Sequence, residues 1–343
     1  TVALANVLLW RGALPETIRL TDISIPFFRA SAARDKVSEA LIARAEALRR
    51  MGRLDEALAA VEEVYQTHIE LGRTAAAQYD SIVLGAIMRG LGRYAEAQHW
   101  LAAAYASDDR LNKIRALLAL AELNLALGAL TTAWNQLDEA MTLIDWLHAR
   151  AQRGIALRLL GQVRTADQAG TLPAPSNAFP DAEQCFKESV QLLLQANYES
   201  ELSTTYVCYG TYLLKAQRPA EAKAILLQGQ ALAQQCGLAT LLEQLQPELQ
   251  RTIEAAAYPA PGQVRVRLAR QGTPRGRSLR AEEFAEVVWT LESPEDSEMR
   301  LRHGKAAERQ ARIRRLCAEA LAQGAEPTVS DLAAALGVTG RTI

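Results

Sequence analysis

Side chains able to bind a metal or act as nucleophiles are few and far apart in this chain. The four cysteines and four histidines are Cys185, Cys208, Cys236, Cys317, His68, His99, His148 and His303. No Cys-x-x-Cys, His-Glu-x-x-His, Gly-x-Ser-x-Gly or Gly-x-x-x-x-Gly-Lys-Ser/Thr motif occurs, although zinc sites, nucleophile elbows and phosphate-binding loops depend on such spacings. The sequence therefore predicts reduced thiols, no catalytic, metal or cofactor-binding residues, and a protein that is not an enzyme.

Basic residues are the second group that could do chemistry, and they are unevenly distributed. The formal net charge of the 343 residues is −1, yet residues 262–343 carry 14 Lys and Arg against 11 Asp and Glu. Residues 300–315 carry seven Lys and Arg against one acidic residue, Glu308. Such arginines can neutralise DNA phosphates, whereas most charge runs only form a solvated helix face, and both interpretations stay open. The arginines predicted here to contact DNA are Arg309, Arg312, Arg314 and Arg315.

A repeat of about 40 residues indicates the elements that must position these side chains. The pattern Gly-Arg-x-x-Glu-Ala at 52–57 returns at 92–97, with weaker copies at 12–17, 128–133 and 217–222. Small residues recur twelve positions before the end of four copies, at Ala45, Gly85, Ala121 and Gly210. Antiparallel helices approach closely where facing side chains are small, and glycine can end the first helix in a left-handed conformation. The repeat therefore predicts helical hairpins.

This pattern resembles the tetratricopeptide repeat over residues 1–256, and its long helices resemble the helical arms of maltose-activator-like and signalling-ATPase regulators. The resemblance implies an all-α fold, a right-handed α-solenoid of about six helical hairpins, with an insertion loop at about 162–180. The inner groove of such a fold binds a protein or peptide partner. The groove residues that it implies are Glu46, Arg49, Arg89, Arg115, Glu122 and Arg158.

The pattern changes after the last repeat. Residues 257–262 contain Tyr-Pro-Ala-Pro-Gly, which predicts a linker. Residues 263–270 alternate apolar and basic side chains, and residues 284–291 are rich in strand formers, so a small two-stranded β element is predicted within a module at 263–303. The Ser-Pro pair at 293–294 indicates a helix start.

Residues 304–343 are predicted to form a helix-turn-helix domain. A first helix begins at about Ala306, a second short helix follows Thr328 or Ser330, and Gly337 supplies the turn. Ala334 is expected to allow close helix packing. The apolar side of the first helix is expected to be formed by Ile313, Leu316, Ala320 and Leu321.

The segment Asp-Leu-Ala-Ala-Ala-Leu-Gly-Val-Thr-Gly-Arg-Thr-Ile at 331–343 is similar to DeoR-type bacterial helix-turn-helix segments. In those families the chain continues into a recognition helix in the major groove. The domain is therefore expected to be truncated at its recognition helix, and the chain to be a piece of a longer protein. The resemblance implies DNA contacts by Thr339, Arg341 and Thr342.

These features together favour a cytoplasmic, signal-responsive bacterial transcription regulator. Its partners would be a protein or peptide in the solenoid groove and double-stranded DNA at the C-terminal module, with self-association as a homodimer and no membrane contact. Two alternatives remain: a tetratricopeptide scaffold that does not bind DNA, and the interaction arm of a multidomain signalling ATPase or enzyme.

Overall fold

The computed structural model describes residues 2–174, 176, 180–257, 262–273 and 280–339. Of these residues 77% are helical, in fifteen α-helices and one short 3₁₀ turn, and two strands form an antiparallel sheet. The expectation of a mainly helical chain with a small two-stranded element is confirmed. The chain divides into two compact units, Thr1–Gln250 and Arg251–Ile343, here called the helical unit and the C-terminal unit.

The helical unit consists of six consecutive helical hairpins and a last helix that continues past its boundary. Its helices are α1 (Val2–Arg11), α2 (Leu14–Ala30), α3 (Arg34–Arg50), α4 (Leu54–Glu70), α5 (Thr74–Gly90), α6 (Tyr94–Tyr105), α7 (Arg110–Ala126), α8 (Leu130–Leu147), α9 (Arg150–Ala166), α10 (Ala182–Gln195), α11 (Glu199–Lys215), α12 (Pro219–Cys236) and α13 (Ala239–Ala257). The domain boundary predicted at residue 256 is thus six residues later than the division between the units, which falls inside α13.

The repeated turn pattern has a local structural cause. Gly52 adopts a left-handed φ of 82° between α3 and α4, and the next residue, Arg53, donates its backbone N–H to the carbonyl of Leu48 at 2.9 Å. The Arg53 side chain then forms a bidentate ion pair with Glu56, both distances being 2.7 Å. The same Arg-x-x-Glu ion pairs recur at 93–96 and 218–221. Arg and Glu therefore recur in these three copies because they pair across the first turn of α4, α6 and α12.

Small residues allow the paired helices to approach each other, as the repeat predicted. A Cβ atom added to Gly85 on α5 would lie 2.5 Å from Cγ of Leu101 on α6. Leu226 occupies the equivalent space over Gly210 in the α11–α12 hairpin. Leu101 also shares a buried cluster with Leu120 of α7, so one leucine packs both within its own hairpin and against the next one.

The six hairpins of the helical unit are arranged so that the last one contacts the first. The first helix of each hairpin contacts that of the next, from α1 through α3, α5, α7 and α9 to α11, and α11 in turn contacts α1. One buried cluster joins Leu9 and Leu14 of the first hairpin to Cys236 and Leu238 near the last. At Gly12 an added Cβ would lie 2.7 Å from Sγ of Cys236. The first and last hairpins are therefore parts of one hydrophobic core.

The insertion between α9 and α10 is shorter than the predicted 162–180, since α9 continues to Ala166. Asp167 accepts backbone hydrogen bonds from Thr171 and Leu172, both at 3.0 Å. The side chain of Asp181 caps α10 by accepting the N–H of Gln184 at 2.9 Å. Both ends of this connection are therefore held by carboxylates.

The C-terminal unit packs a two-stranded sheet against helices. Its elements after α13 are β1 (Gln263–Ala269), a 3₁₀ turn (Ala281–Glu283), β2 (Phe284–Thr290), α14 (Pro294–Ala322) and α15 (Val329–Leu336). The strands pair antiparallel, with Val266 opposite Val287. Trp289 is fully buried beside Leu316 and Leu332, and its indole N–H donates to the carbonyl of Leu316 at 2.8 Å. This core joins the sheet to both helices.

Helix starts in this unit agree with the prediction. Ser293 and Thr328 each form a capping box, with Asp296 and Asp331 respectively. The long helix is interrupted at Gly304, where φ is 84° and ψ is 174°. The break explains why the pattern suggested a separate helix from about residue 306.

Two packing expectations in the C-terminal unit are wrong. Leu321 is 49% exposed. The side of α14 that packs against the sheet is formed by Leu316 and Ala320, and Leu321 lies outside it. Ala334 is exposed among the described residues, and the buried alanine of α15 is Ala333. Gly337 does adopt the left-handed conformation expected for the turn, with φ of 64°.

In the described ranges no helix is long and apolar enough to cross a membrane.

Candidate functional site

A cavity of about 690 Å³ lies inside the helical unit. Its walls are formed by the first helices of all six hairpins and by α13, which is the arrangement produced when the first helices contact one another in a closed circuit. The second helices of the hairpins contribute only Leu54 of α4 to its walls. The cavity is thus the inner face that the repeats create.

All six residues predicted for the groove line this cavity. They come from four helices: Glu46 and Arg49 from α3, Arg89 from α5, Arg115 and Glu122 from α7, and Arg158 from α9. The structure therefore brings together side chains that are up to 112 positions apart in the sequence. That they bind a partner stays a prediction.

Glu46 is the centre of the first charge cluster. Its side chain is 10% exposed and accepts hydrogen bonds from Arg49 Nη2 at 2.8 Å and from the Tyr79 hydroxyl at 3.3 Å, with Arg50 Nε 3.6 Å away. Burial alone would raise the pKa of Glu46. The charges of Arg49 and Arg50 and these hydrogen bonds outweigh burial and lower the pKa to about 2.

Arg158 is the centre of the second charge cluster. Its side chain is 5% exposed, and its guanidinium lies 3.3 Å from Glu201 and 3.6 Å from Glu122. Glu122 also accepts from Arg89 at 2.7 Å. Burial would lower the pKa of Arg158, but the two glutamates outweigh burial and raise it, so this arginine stays charged. Burial would raise the pKa of Glu122, and the arginines Arg89 and Arg158 lower it instead.

Arg115 differs from the other cavity arginines. In the part of the chain that the structure describes, it forms no ion pair with a carboxylate. Its guanidinium carbon lies 5.0 Å from the centre of the Tyr79 ring, and one nitrogen donates to Asn112 at 3.4 Å. An arginine held over an aromatic face keeps donors available for another acceptor.

Sequence reasoning missed Arg50, which connects the two ends of the helical unit. Arg50 Nη2 donates to the Tyr198 hydroxyl at 2.8 Å, and Nη1 donates to Ser200 Oγ at 3.3 Å and to the Leu9 carbonyl at 3.2 Å. Tyr198 also contacts the Trp10 ring, with 4.9 Å between ring centres. These partners lie up to 150 positions from Arg50, and no sequence pattern links them.

The stability of the helical unit should fall at acid pH through Glu46. Since its folded pKa of about 2 is below the ordinary 4.5, its contribution is present above about pH 4.5 and is lost as the pH falls towards 2. The difference in unfolding free energy between the native protein and Glu46→Gln, measured by urea denaturation, should be constant above about pH 5. It should shrink by up to about 3 kcal/mol at lower pH. A difference that does not change with pH contradicts the assignment.

A buried acid–base pair lies outside the cavity. His68 Nδ1 on α4 is 2.6 Å from Asp80 Oδ2 on α5, and both residues are buried. Burial raises the pKa of Asp80 to about 6, although the hydrogen bond and charge of His68 oppose this effect. The pair connects two adjacent hairpins. No group of three His, Cys, Asp or Glu side chains within the described ranges is arranged to hold a metal ion.

The structure separates the four arginines predicted to contact DNA into two pairs. Arg312 and Arg315 are bound to Asp296, at 3.2 Å and 2.6 Å, and the hydrogen bond from Arg315 is the main reason that the pKa of Asp296 is lowered. Arg309 and Arg314 are exposed, and neither pairs with a carboxylate of the described residues. Only these two face solvent freely.

The predicted contacts of the turn can be placed in part. Thr339 follows the left-handed Gly337 and is exposed. Arg341 and Thr342 lie outside the described residues. Among the described residues that were predicted to contact DNA, Arg309, Arg314 and Thr339 are therefore the exposed ones.

The sequence matches no family model and no curated protein. The resemblance to tetratricopeptide and helix-turn-helix proteins therefore rests on the residues quoted above. The function has to be inferred from two features of this chain: the charged cavity of the helical unit and the basic surface of the C-terminal unit.

Proposed function

We propose that the chain belongs to a cytoplasmic bacterial transcription regulator. In this proposal the helical unit is a tetratricopeptide-like right-handed α-solenoid that receives a protein, peptide or small-ligand signal. The C-terminal unit is a helix-turn-helix module that binds double-stranded DNA, with pairs of chains acting as homodimers on paired half-sites.

The signal-receiving role is supported by the cavity. Protein cavities of about 300–1,000 Å³ are typical ligand sites, and the volume here is about 690 Å³. Eight charged side chains line its walls, although charged side chains are rarely buried without a functional or structural reason. An inner face of this composition is suited to recognising a charged ligand.

The DNA-binding role depends on one observation, the exposed arginine pair on α14. Arg309 and Arg314 precede the capped helix α15 and its glycine turn, and no carboxylate in the described part of the chain pairs with either of them. Guanidinium groups in this position can contact phosphates on either side of an inserted helix.

Neutralising both arginines is expected to weaken DNA binding. In fluorescence anisotropy titrations of a labelled duplex with the full chain, binding should weaken steeply between about 50 and 200 mM salt. The doubly substituted Arg309→Gln, Arg314→Gln protein should bind more weakly, and the slope of log K against log salt should fall by about two, one for each lost phosphate contact.

The matched control is Arg11→Gln, Arg19→Gln, which removes the same charge from exposed positions of the helical unit. This control should leave both affinity and slope unchanged. Equal losses in both double variants would mean that only net charge matters, and the assignment of α14 would then be wrong.

A second candidate function is a scaffold that does not bind DNA. The engagement of Arg312 and Arg315 by Asp296 favours it, because half of the predicted basic surface serves to hold the C-terminal unit together. Absence of DNA binding at low salt by the folded chain would favour this scaffold.

A further inference from the structure

The charges that line the cavity do not cancel. Three glutamates contribute to the walls, Glu46, Glu122 and Glu201, against five arginines, Arg49, Arg50, Arg89, Arg115 and Arg158. The lining thus carries two more positive than negative charges. A cleft whose lining carries an excess of one sign of charge focuses the field and raises the local concentration of ions of the opposite sign, here anions.

The ion pairs show where the excess is located. Glu46 is neutralised by the arginines of α3, and Glu122 and Glu201 share Arg89 and Arg158. Arg115 has no carboxylate partner among the described residues. Its neighbour Tyr79 connects it to the Glu46 cluster, through the ring on one side and the hydroxyl on the other. Arg115 therefore carries one of the two unneutralised charges, and the second is shared by Arg49 and Arg50 around the single Glu46.

Apolar side chains form part of the remaining walls, beside uncharged polar ones such as Gln152 and Thr204. Trp10 is 43% exposed although it lines the cavity, and it lies against Tyr198. Ile42, Leu118 and Ile155 add aliphatic surface from three further helices. Ligand pockets commonly combine such apolar walls with a few polar groups that fix orientation.

The volume limits the size of the occupant. An α-helix with its side chains is about 10–12 Å wide, so a cavity of about 690 Å³ holds little more than one helical turn. A drug-sized molecule, in contrast, fits this volume.

We propose that the cavity binds a small organic dianion, with one acidic group on Arg115 and an apolar body against Trp10. The acidic groups are carboxylates or a phosphate ester. Both kinds of group present two oxygen atoms that a guanidinium can bind with two parallel hydrogen bonds. This inference rests on the signal-receiving part of the proposed function and gives the chemical class of the signal.

Calorimetry on the full chain without DNA tests this inference separately from DNA binding. The probes are 2,6-naphthalenedicarboxylate and 1-naphthyl phosphate, with the uncharged 2,6-naphthalenedicarboxamide as the matched neutral compound and inorganic phosphate as the anion without an apolar body. At least one naphthalene dianion should bind, and quench tryptophan fluorescence through Trp10. The neutral compound and inorganic phosphate should bind about tenfold more weakly or not at all.

Comparison of the two naphthalene probes distinguishes carboxylate from phosphate recognition. Arg115→Gln should weaken the preferred probe about tenfold or more. Arg110→Gln is the control on the same helix, since Arg110 is exposed and packs on Trp146 rather than in the cavity, and it should leave affinity within about twofold.

Three results would overturn the inference. The first is that the folded chain gives neither binding heat nor tryptophan quenching with either dianion. The second is that the neutral dicarboxamide binds as tightly as the dianions. The third is that Arg115→Gln binds the preferred probe with unchanged affinity. Binding of an acidic peptide in place of both small dianions would instead assign the cavity to a protein partner. The DNA titration remains interpretable in each case, because it uses other residues in the other unit.

Discussion

Arg50→Ala is expected to destabilise the helical unit by about 3 kcal/mol or more. The side chain is 13% exposed and donates to Tyr198, Ser200 and the Leu9 carbonyl. Removing one partner of a buried charged network leaves the other groups desolvated without compensation, which costs about 3–5 kcal/mol. Urea unfolding followed by far-ultraviolet circular dichroism measures the loss, because α1 to α13 dominate that signal.

Arg53→Ala is the matched control for this prediction. Arg53 is three residues further on and pairs with Glu56, but the pair is exposed, so little change is expected. Arg50→Lys should be intermediate, because an ammonium group cannot reproduce the planar geometry of the guanidinium. A double-mutant cycle with Tyr198→Phe should give a coupling energy above about 0.5 kcal/mol. Additive effects would mean that the contact contributes nothing.

Trp289→Ala is expected to destabilise the C-terminal unit by about 3–5 kcal/mol, a large share of the about 5–15 kcal/mol by which domains are ordinarily stable. Trp289 has the largest side chain among the fully buried residues, and it joins β2 to α14 through Leu316. Trp289→Phe should lose less, about 1–3 kcal/mol, because it keeps most apolar contacts but leaves the Leu316 carbonyl without its donor. Hydrogen exchange of the β1, β2 and α14 amides measures both effects.

Trp146→Ala is the control, since Trp146 is 62% exposed on α8 and contacts only the guanidinium of Arg110 among the aromatic and cation–π contacts of the described residues. It should change exchange in the C-terminal unit very little. Unchanged protection of β2 in Trp289→Ala would show that the sheet does not depend on this core.

The hairpins of the helical unit could be predicted because their causes are local. Gly52 and its copies end helices, and Gly85 and Gly210 allow close approach, so each requirement appears within about 15 residues of sequence. The first strand followed from alternation and the second from its strand-forming residues. The cap at Ser293 followed from residue type, which for α15 left Thr328 and Ser330 as alternatives. The six cavity residues were found for the same reason, since one face of each first helix repeats with the hairpin.

The remaining features could not be predicted, because they depend on contacts between distant parts of the chain. Nothing near Arg50 indicates that Tyr198 will lie 2.8 Å away. Nothing in the basic run of α14 shows that Asp296 will bind Arg312 and Arg315. The sequence shows how many arginines the run contains. Whether each arginine is available to bind a phosphate depends on which carboxylates the fold brings next to it.

Contact between the first and last hairpins also constrains how this protein can change in evolution. In an open array each repeat contacts only its neighbours, so a repeat can be gained or lost with a change only in length. Here, losing or duplicating a hairpin would move Arg50 away from Tyr198 and divide the cluster that joins Leu9 to Leu238. Unequal recombination between the similar copies at 52–57 and 92–97 would therefore give chains whose ends no longer meet. Descendants of this chain are expected to keep six hairpins while their surfaces diverge.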